Sequence, residues 1–250
     1  MADRRRLDAE LVRRGLVATR AEAQAAVAAG RVTVSGAPAL KSARLVDVSE
    51  PVLVLGERPR FVGRGGEKLD AALDAFGVEV AGARVLDAGA STGGFTDCVL
   101  QRGAAWVAAV DVGHGQLHER IRHDPRVLVR ERCNVRHLQP DDIGGPVDVV
   151  VADLSFISLR TVLAALLGAA VPGADLVLLV KPQFEAGAAE ASRSRGVIRD
   201  PAVHERVRVE IDAALRDAGA EVRGWIESPL RGADGNVELF VHANAPGRVT

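Results

Sequence analysis

Five mostly apolar segments, alternating with stretches of helical character, constrain this chain more than any other feature. Residues 84–88, 106–112, 127–130, 147–153 and 175–181 are strand-like and rich in Val, Leu and Ala. Helical stretches at 67–76, 94–102, 115–122, 158–167 and 201–218 separate them. Strands that are apolar along their whole length, without alternation, are buried on both faces, and parallel strands joined through helices bury them that way. The expected fold is α/β, a Rossmann-like parallel sheet covered on both sides. Residues 237–242, following Gly235, read as a last strand returning antiparallel through a hairpin.

The first 56 residues have a different pattern. Leu7, Leu11 and Val12 give 7–14 a helical rhythm that Gly15 ends. Thr19 is a suitable N-cap for a second helix over 20–29, with Glu22 in its first turn and Gly30 closing it. Short strand-like pieces follow at 32–34, 43–48 and 52–55, the first meeting the turn signal Ser35-Gly36. This predicts a small α+β domain over 1–56. A Gly-, Arg- and Pro-rich linker would span 57–66, and a large domain 67–250. Residues 1–60 hold 11 basic against 7 acidic side chains, a balance of +4, and the remainder 21 against 26, a balance of −5. A basic head on an acidic body points to a polyanionic partner at the N-terminus. Cys98 and Cys133 are far apart with no CxxC, so neither a disulfide framework nor a metal site is expected. No apolar leader or span is readable, which predicts a cytoplasmic protein without a membrane partner.

The segment Asp87-Ala88-Gly89-Ala90-Ser91-Thr92-Gly93-Gly94-Phe95 carries the first strand of the large domain through a glycine-rich turn into a helix. In doubly wound folds that turn is the ligand site: glycines admit close backbone approach, and the helix N-terminus favours an anionic group. The spacing DxGxxxGG, unlike GxGxxG, suits S-adenosylmethionine better than a dinucleotide. Asp111 ends the next strand, 22 residues after Gly89, where a carboxylate can accept ribose hydroxyl protons. Asn134, after the third strand, reads equally as a contact to an adenine ring and as a plain loop residue. The competing reading is an ordinary turn whose glycines serve packing, and Asp111 weighs against it.

Asp153 closes the fourth strand and Lys181 the fifth, so opposite charges end two neighbouring apolar strands at the carboxyl edge of the sheet. Only Lys41, Lys68 and Lys181 are lysines among 32 basic residues. Lys68 and Glu238 can complete a set of two lysines and two acids with Asp153 and Lys181. The chemistry that suits such a set is methyl transfer from a sulfonium to a ribose hydroxyl. Alignment supplies much of the rate, and the hydroxyl must lose its proton during attack. Lysine can take that proton; arginine cannot. A purely structural ion pair is the alternative.

At this point the motifs Arg64-Gly65-Gly66-Glu67-Lys68-Leu69, Asp87 to Thr96, Val110-Asp111-Val112-Gly113-His114-Gly115-Gln116-Leu117, Ala152-Asp153-Leu154-Ser155-Phe156-Ile157-Ser158 and Val180-Lys181-Pro182-Gln183-Phe184-Glu185 resemble the TlyA family. Its members are ribosomal RNA ribose 2′-O-methyltransferases, also labelled haemolysin A. The resemblance implies an S4-type RNA-binding domain ahead of an FtsJ-like, class I methyltransferase sheet. It implies Lys68, Asp153, Lys181 and Glu238 as the catalytic tetrad, with Lys181 nearest the hydroxyl. It implies S-adenosylmethionine held by Asp87, Gly89, Ser91, Thr92, Gly93, Gly94, Phe95, Asp111, Val112, Asn134 and Asp153. Ribosomal RNA, 16S, 23S or both, would be modified at a cytidine, with the ribosomal subunit as partner and no obligate protein partner. Arg6, Arg20, Arg31, Lys41 and Arg64 are the candidates for phosphate contacts, which dominate RNA affinity. The chain departs from the family pattern at Gly63, Ser35 and His114, in a looser stretch at 186–195, and in stopping eight residues after His242. Two other classes compete with an enzyme: a non-catalytic ribosome-binding factor and a membrane-active haemolysin.

Overall fold

A computed structural model of the chain describes residues 4–17, 19–56, 59–187, 190, 194, 196–232 and 234–247. The chain splits into two compact units, Met1–Pro59 and Arg60–Thr250.

The first unit runs β1 (Arg4–Arg6), α1 (Leu7–Arg13), α2 (Arg20–Ala28), β2 (Val32–Val34), β3 (Ala37–Pro38), β4 (Leu45–Asp47) and β5 (Val52–Val54). Thr19 caps α2 as its position suggests, its hydroxyl accepting the Glu22 N–H at 3.1 Å. Leu7 and Leu11 of α1 bury against Ala23 and Val27 of α2 and against Val32 and Val34 of β2. β2 is the centre of a three-stranded sheet, and β1 pairs antiparallel with β4. β1 has no sequence signal: three consecutive arginines show no period, and only the register Arg4↔Asp47 to Arg6↔Leu45 makes them a strand.

The second unit runs α3 (Arg64–Phe76), β6 (Arg84–Ala88), α4 (Gly94–Gln101), β7 (Trp106–Val110), α5 (Glu119–Arg122), β8 (Val127–Arg130), β9 (Val147–Ala152), α6 (Leu159–Gly168), β10 (Ala170–Val180), α7 (Pro182–Glu185), α8 (Pro201–Asp217), β11 (Glu221–Glu227) and β12 (Leu239–Asn244). One seven-stranded sheet, ordered β11-β12-β10-β9-β6-β7-β8, forms its centre. β6 to β10 are parallel to their sheet neighbours in that group, and β12 runs antiparallel to both β10 and β11. The expected α/β sheet with one antiparallel C-terminal strand is the one observed. Val85, Val149 and Val151 pack with Leu69 and Leu73 of α3 and Val99 of α4 on one face. Leu86, Val150 and Ala152 pack with Val162 and Leu166 of α6 and Ile211 of α8 on the other. Burial on both faces is why these strands lack alternation. The chain builds outward from β6 to β8 and then returns to lay β9 on the other side of β6. That switch point opens a crevice at the carboxyl ends of β6 and β9.

Several boundaries differ from the sequence reading: β10 begins at Ala170 and not at 175, and β12 spans Leu239–Asn244 and not 237–242. The linker expected over 57–66 gives way to structure from Arg60 onward: Phe61 is 4% exposed in the core, and α3 begins at Arg64, three residues before the expected 67. Gly63 is the extended N-cap residue, its carbonyl accepting the Gly66 N–H, and a Cβ on Gly66 would collide with Phe61 at 2.3 Å. Glu57 and Arg58 lie outside the described residues. The helix expected over 115–122 shrinks to α5, because Gly115 sits at φ +70° and its N–H donates to Glu131. β11 was not anticipated, since Gly224 and flanking charges break its pattern. Most of the looser stretch at 186–195 lies outside the described residues.

Candidate active site

The crevice is shaped by backbone before side chains enter it. Gly89 follows β6 at φ +90°, and a Cβ there would lie 2.4 Å from the Asp153 carbonyl oxygen, so only glycine lets the ends of β6 and β9 run this close. Ser91 holds φ +46°, uncommon for a residue with a side chain, and its N–H donates to Asp111 Oδ2 at 2.8 Å. Asp111 Oδ1 accepts the Gly113 N–H at 2.6 Å. One carboxylate thus ties two loops together, and each of its oxygens keeps a further acceptor position.

A cavity of about 580 Å³ opens beside this carboxylate, a size typical of small-molecule sites. Gly89, Ser91, Asp111, Val112, Asn134 and Asp153 line it, all six read from the sequence, together with Gly113, Gln116, Ser155 and Phe156. A recess of about 100 Å³ shares Gly89, Ser91 and Asp153 with it and reaches Gly65, Thr92, Gly94 and Phe95. Asp87 and Gly93 line neither space. Gly93, at φ +95°, packs behind the loop against Leu117. Asp87 is fully buried; its Oδ2 accepts from Thr96 Oγ1 at 2.6 Å and its Oδ1 has no partner among the described residues. Burial pushes its pKa up to about 7, the Thr96 hydrogen bond pulls the other way, and the Asp153 and Asp111 charges raise it further.

The four catalytic candidates resolve into two ion pairs of unequal burial. Lys68 Nζ donates to Glu238 Oε2 at 2.5 Å, and both residues are buried. Lys181 Nζ lies 2.5 Å from Asp153 Oδ1, a charge contact without hydrogen-bond alignment, and donates to Ser155 Oγ at 3.0 Å. This second pair is the more open, with Asp153 on the wall of both cavities. The sheet brings the pairs to one rim. The β10–β12 ladder ends at Val180↔Leu239, so Lys181 leaves one strand where Glu238 enters the other. On α3, a Cβ on Gly65 would fall 4.0 Å from Asp153 Oδ2, one turn before Lys68. Gly232 leaves room for Glu238, whose Oε1 a Cβ would meet at 2.7 Å.

Several supporting residues escaped the sequence reading. Asp97, 4% exposed, accepts from the Val62 N–H at 2.8 Å, Gln101 Nε2 at 3.0 Å and Arg120 at 2.6 Å, fastening the chain before α3 onto α4. Glu131 accepts from Arg122 and from the Gly115 N–H, and meets His114 Nδ1 at 2.7 Å, so it organises the loop at 113–117. Arg122 is the main reason its pKa falls to about 2. His114, one of the departures from the family pattern, therefore turns to Glu131. Phe156 is 90% exposed at φ +65°, on the cavity wall, its ring centroid 5.1 Å from that of Phe184. A large apolar residue just past a strand-ending Asp was the available signal.

Among the phosphate-contact candidates, Arg6 and Arg20 converge on one carboxylate, Asp8. Lys41 is exposed, and Arg31 lies half-buried beside Leu53 and Gly56. Arg64, in the second unit, is exposed and donates to the Arg231 carbonyl at 2.9 Å.

A family model of FtsJ-like methyltransferases matches residues 61–245, and an S4 domain model matches residues 5–52. The 16S/23S rRNA (cytidine-2′-O)-methyltransferase TlyA of Mycobacterium tuberculosis is 51% identical over 242 residues, covering 96% of this chain and 90% of the relative. The chain belongs to the TlyA family. Hemolysin A of Brachyspira hyodysenteriae, 36% identical over 239 residues, covers 95% of this chain and 98% of its own length. A solved structure described as a hemolysin from Streptococcus thermophilus aligns with TM-score 0.77 and 38% identity over 100% of this chain and 92% of that one. The chain is thus an S4 domain joined to an FtsJ-like methyltransferase domain. The FtsJ-like match begins at residue 61, where the second compact unit begins at Arg60.

Proposed function

We propose that the protein transfers a methyl group from S-adenosylmethionine to the 2′-hydroxyl of a cytidine ribose in 16S or 23S ribosomal RNA, or both. The ribosomal subunit is the partner and the cytoplasm the setting. The observation that carries this reading is the open Lys181–Asp153 pair at the rim of the cavity, backed by the buried Lys68–Glu238 pair. Among the described residues no helix is long and apolar enough to cross a membrane.

The residues present fit the methyl donor. Asp111 would accept from ribose hydroxyls, Val112 and Asn134 would hold the adenine, and Gly65 and Phe95 in the adjoining recess would hold the amino-acid group. When bound, S-adenosylmethionine supplies a methyl group already activated on sulfur. Lys181, held between Asp153 and Ser155, then orients the ribose hydroxyl. With the donor in place, Lys181 in its neutral amine form would take the hydroxyl proton on Nζ, and the Asp153 carboxylate would hold the resulting ammonium. Lys68 and Glu238, paired and shielded from water, would hold the start of α3 and the approach to β12 in place around that step. Phe156, exposed on the wall, offers a stacking face to the base of the target nucleotide.

The test is ribose-methylation mapping of both ribosomal RNAs after incubation with enzyme and donor. The expected product is a 2′-O-methylcytidine absent when Asp153→Asn replaces the native enzyme. Methyl groups found only on base atoms would overturn the reading.

A further inference from the structure

We propose that Asp8 is a positioning residue that presents Arg6 and Arg20 as a preformed two-guanidinium fork for the phosphates of an RNA backbone. This rests on the reading above that the first unit binds RNA.

The Asp8 side chain is completely buried, yet it is an anion. Such a group persists only when hydrogen bonds replace its lost hydration. Five are present: from Arg6 Nε at 3.1 Å and a terminal Arg6 nitrogen at 2.8 Å, from Arg20 at 3.1 Å, from Gln24 at 3.4 Å and from the Ala9 N–H at 2.8 Å. The two arginines come from different elements, the end of β1 and the start of α2. Their own side chains remain 47% and 57% exposed. One carboxylate faces two guanidiniums, so the cluster keeps a net positive charge at the surface. A guanidinium has two usable edges. Arg6 gives its Nε edge to Asp8, which leaves the opposite edge, on the exposed half of the side chain, with the geometry a phosphate takes bidentately.

The same unit contains its own contrast. Glu10 is also fully buried and also takes two arginines, Arg13 and Arg14. Arg14, however, is only 19% exposed and turns inward to the carbonyls of Val48 and Glu50, each at 2.8 Å. That pair staples α1 to the β4–β5 turn. The Asp8 pair makes no such inward bond from Arg20 or Arg6 among the described residues, and both side chains stay about half exposed.

The experiment measures binding of the full chain to unmodified ribosomal RNA across a salt series, with Asp8→Asn, Arg6→Ala, Arg20→Ala and Arg20→Lys. Asp8→Asn adds one unit of positive charge, so charge alone predicts tighter binding. Positioning predicts weakening by about tenfold, with the salt slope falling by about one. Adding Arg6→Ala to Asp8→Asn should weaken binding little further. Arg20→Lys, at an exposed site that tolerates change, keeps the charge but loses the fork and should weaken binding several-fold; it decides the matter if Asp8→Asn fails to fold. Native or tighter binding by folded Asp8→Asn, or native binding by Arg20→Lys, overturns the proposal. Should Arg6→Ala and Arg20→Ala also bind normally, the RNA-binding reading of this face falls with it; should they weaken binding while Asp8→Asn does not, only the positioning role falls.

Discussion

Lys181 is the residue whose chemistry is most exposed to test. Replacing it by alanine should cost about 1,000-fold in methyl transfer while calorimetry finds S-adenosylmethionine still bound, since the lysine lies at the rim and not among the residues lining the cavity. Lys181→Arg should not rescue, because a guanidinium keeps its protons. Full activity in either variant would remove the assigned base. Phe156→Ala should raise KM for RNA about tenfold through the lost stacking face, with cofactor affinity unchanged in the same calorimetric titration. Asp87 gives a pH signature. Its ordinary value is 3.8 and its folded value about 7, so between them the folded chain holds a proton that the unfolded chain has released. Stability should therefore decline as pH climbs from about 4 to about 7 and level off above that. Thermal melts of Asp87→Asn should lack this slope, and an unchanged slope would assign it elsewhere.

At the scale of elements, the segment before α3 is the place where sequence and structure part. Glycine, arginine and proline there read as a linker, but Phe61 is a core residue and Asp97 holds the Val62 N–H. A chain beginning at Arg60 should keep the stability of the second unit and its cofactor binding. One beginning at Glu67 removes Phe61 and the first turn of α3, and should lose about 3–5 kcal/mol, the cost of emptying a Phe site. Urea titrations of the two truncations decide it, and equal midpoints would mean the segment is a linker after all. β11 and β1 carry the same lesson in reverse. Neither has a readable period, and each is a strand only because a partner across the sheet supplies its hydrogen bonds.

For the whole molecule, the charge asymmetry and the two compact units predict separable tasks. The chain from Arg60 onward should bind S-adenosylmethionine as the full chain does and lose most affinity for ribosomal subunits, with a shallower dependence on salt as the phosphate contacts of the first unit disappear. Sedimentation with subunits at two ionic strengths reads this directly. Undiminished subunit binding by that truncation would place RNA recognition in the second unit alone.

The sequence by itself determined the class of fold, the cofactor turn and the identity of the catalytic candidates. Each of these is local chemistry: a strand buried on both faces shows it in its own residues, a glycine-rich turn is contiguous, and a lysine is conspicuous among 29 arginines. Tertiary structure alone decided how those candidates divide. That Lys68 meets Glu238 across 170 positions, that Lys181 takes Asp153 and Ser155, and that Asp87 stands behind the cavity depend on sheet order and strand register. The reason is physical: charge pairing and burial are set by distances between elements, and distant residues carry no mark of which neighbour the fold will give them.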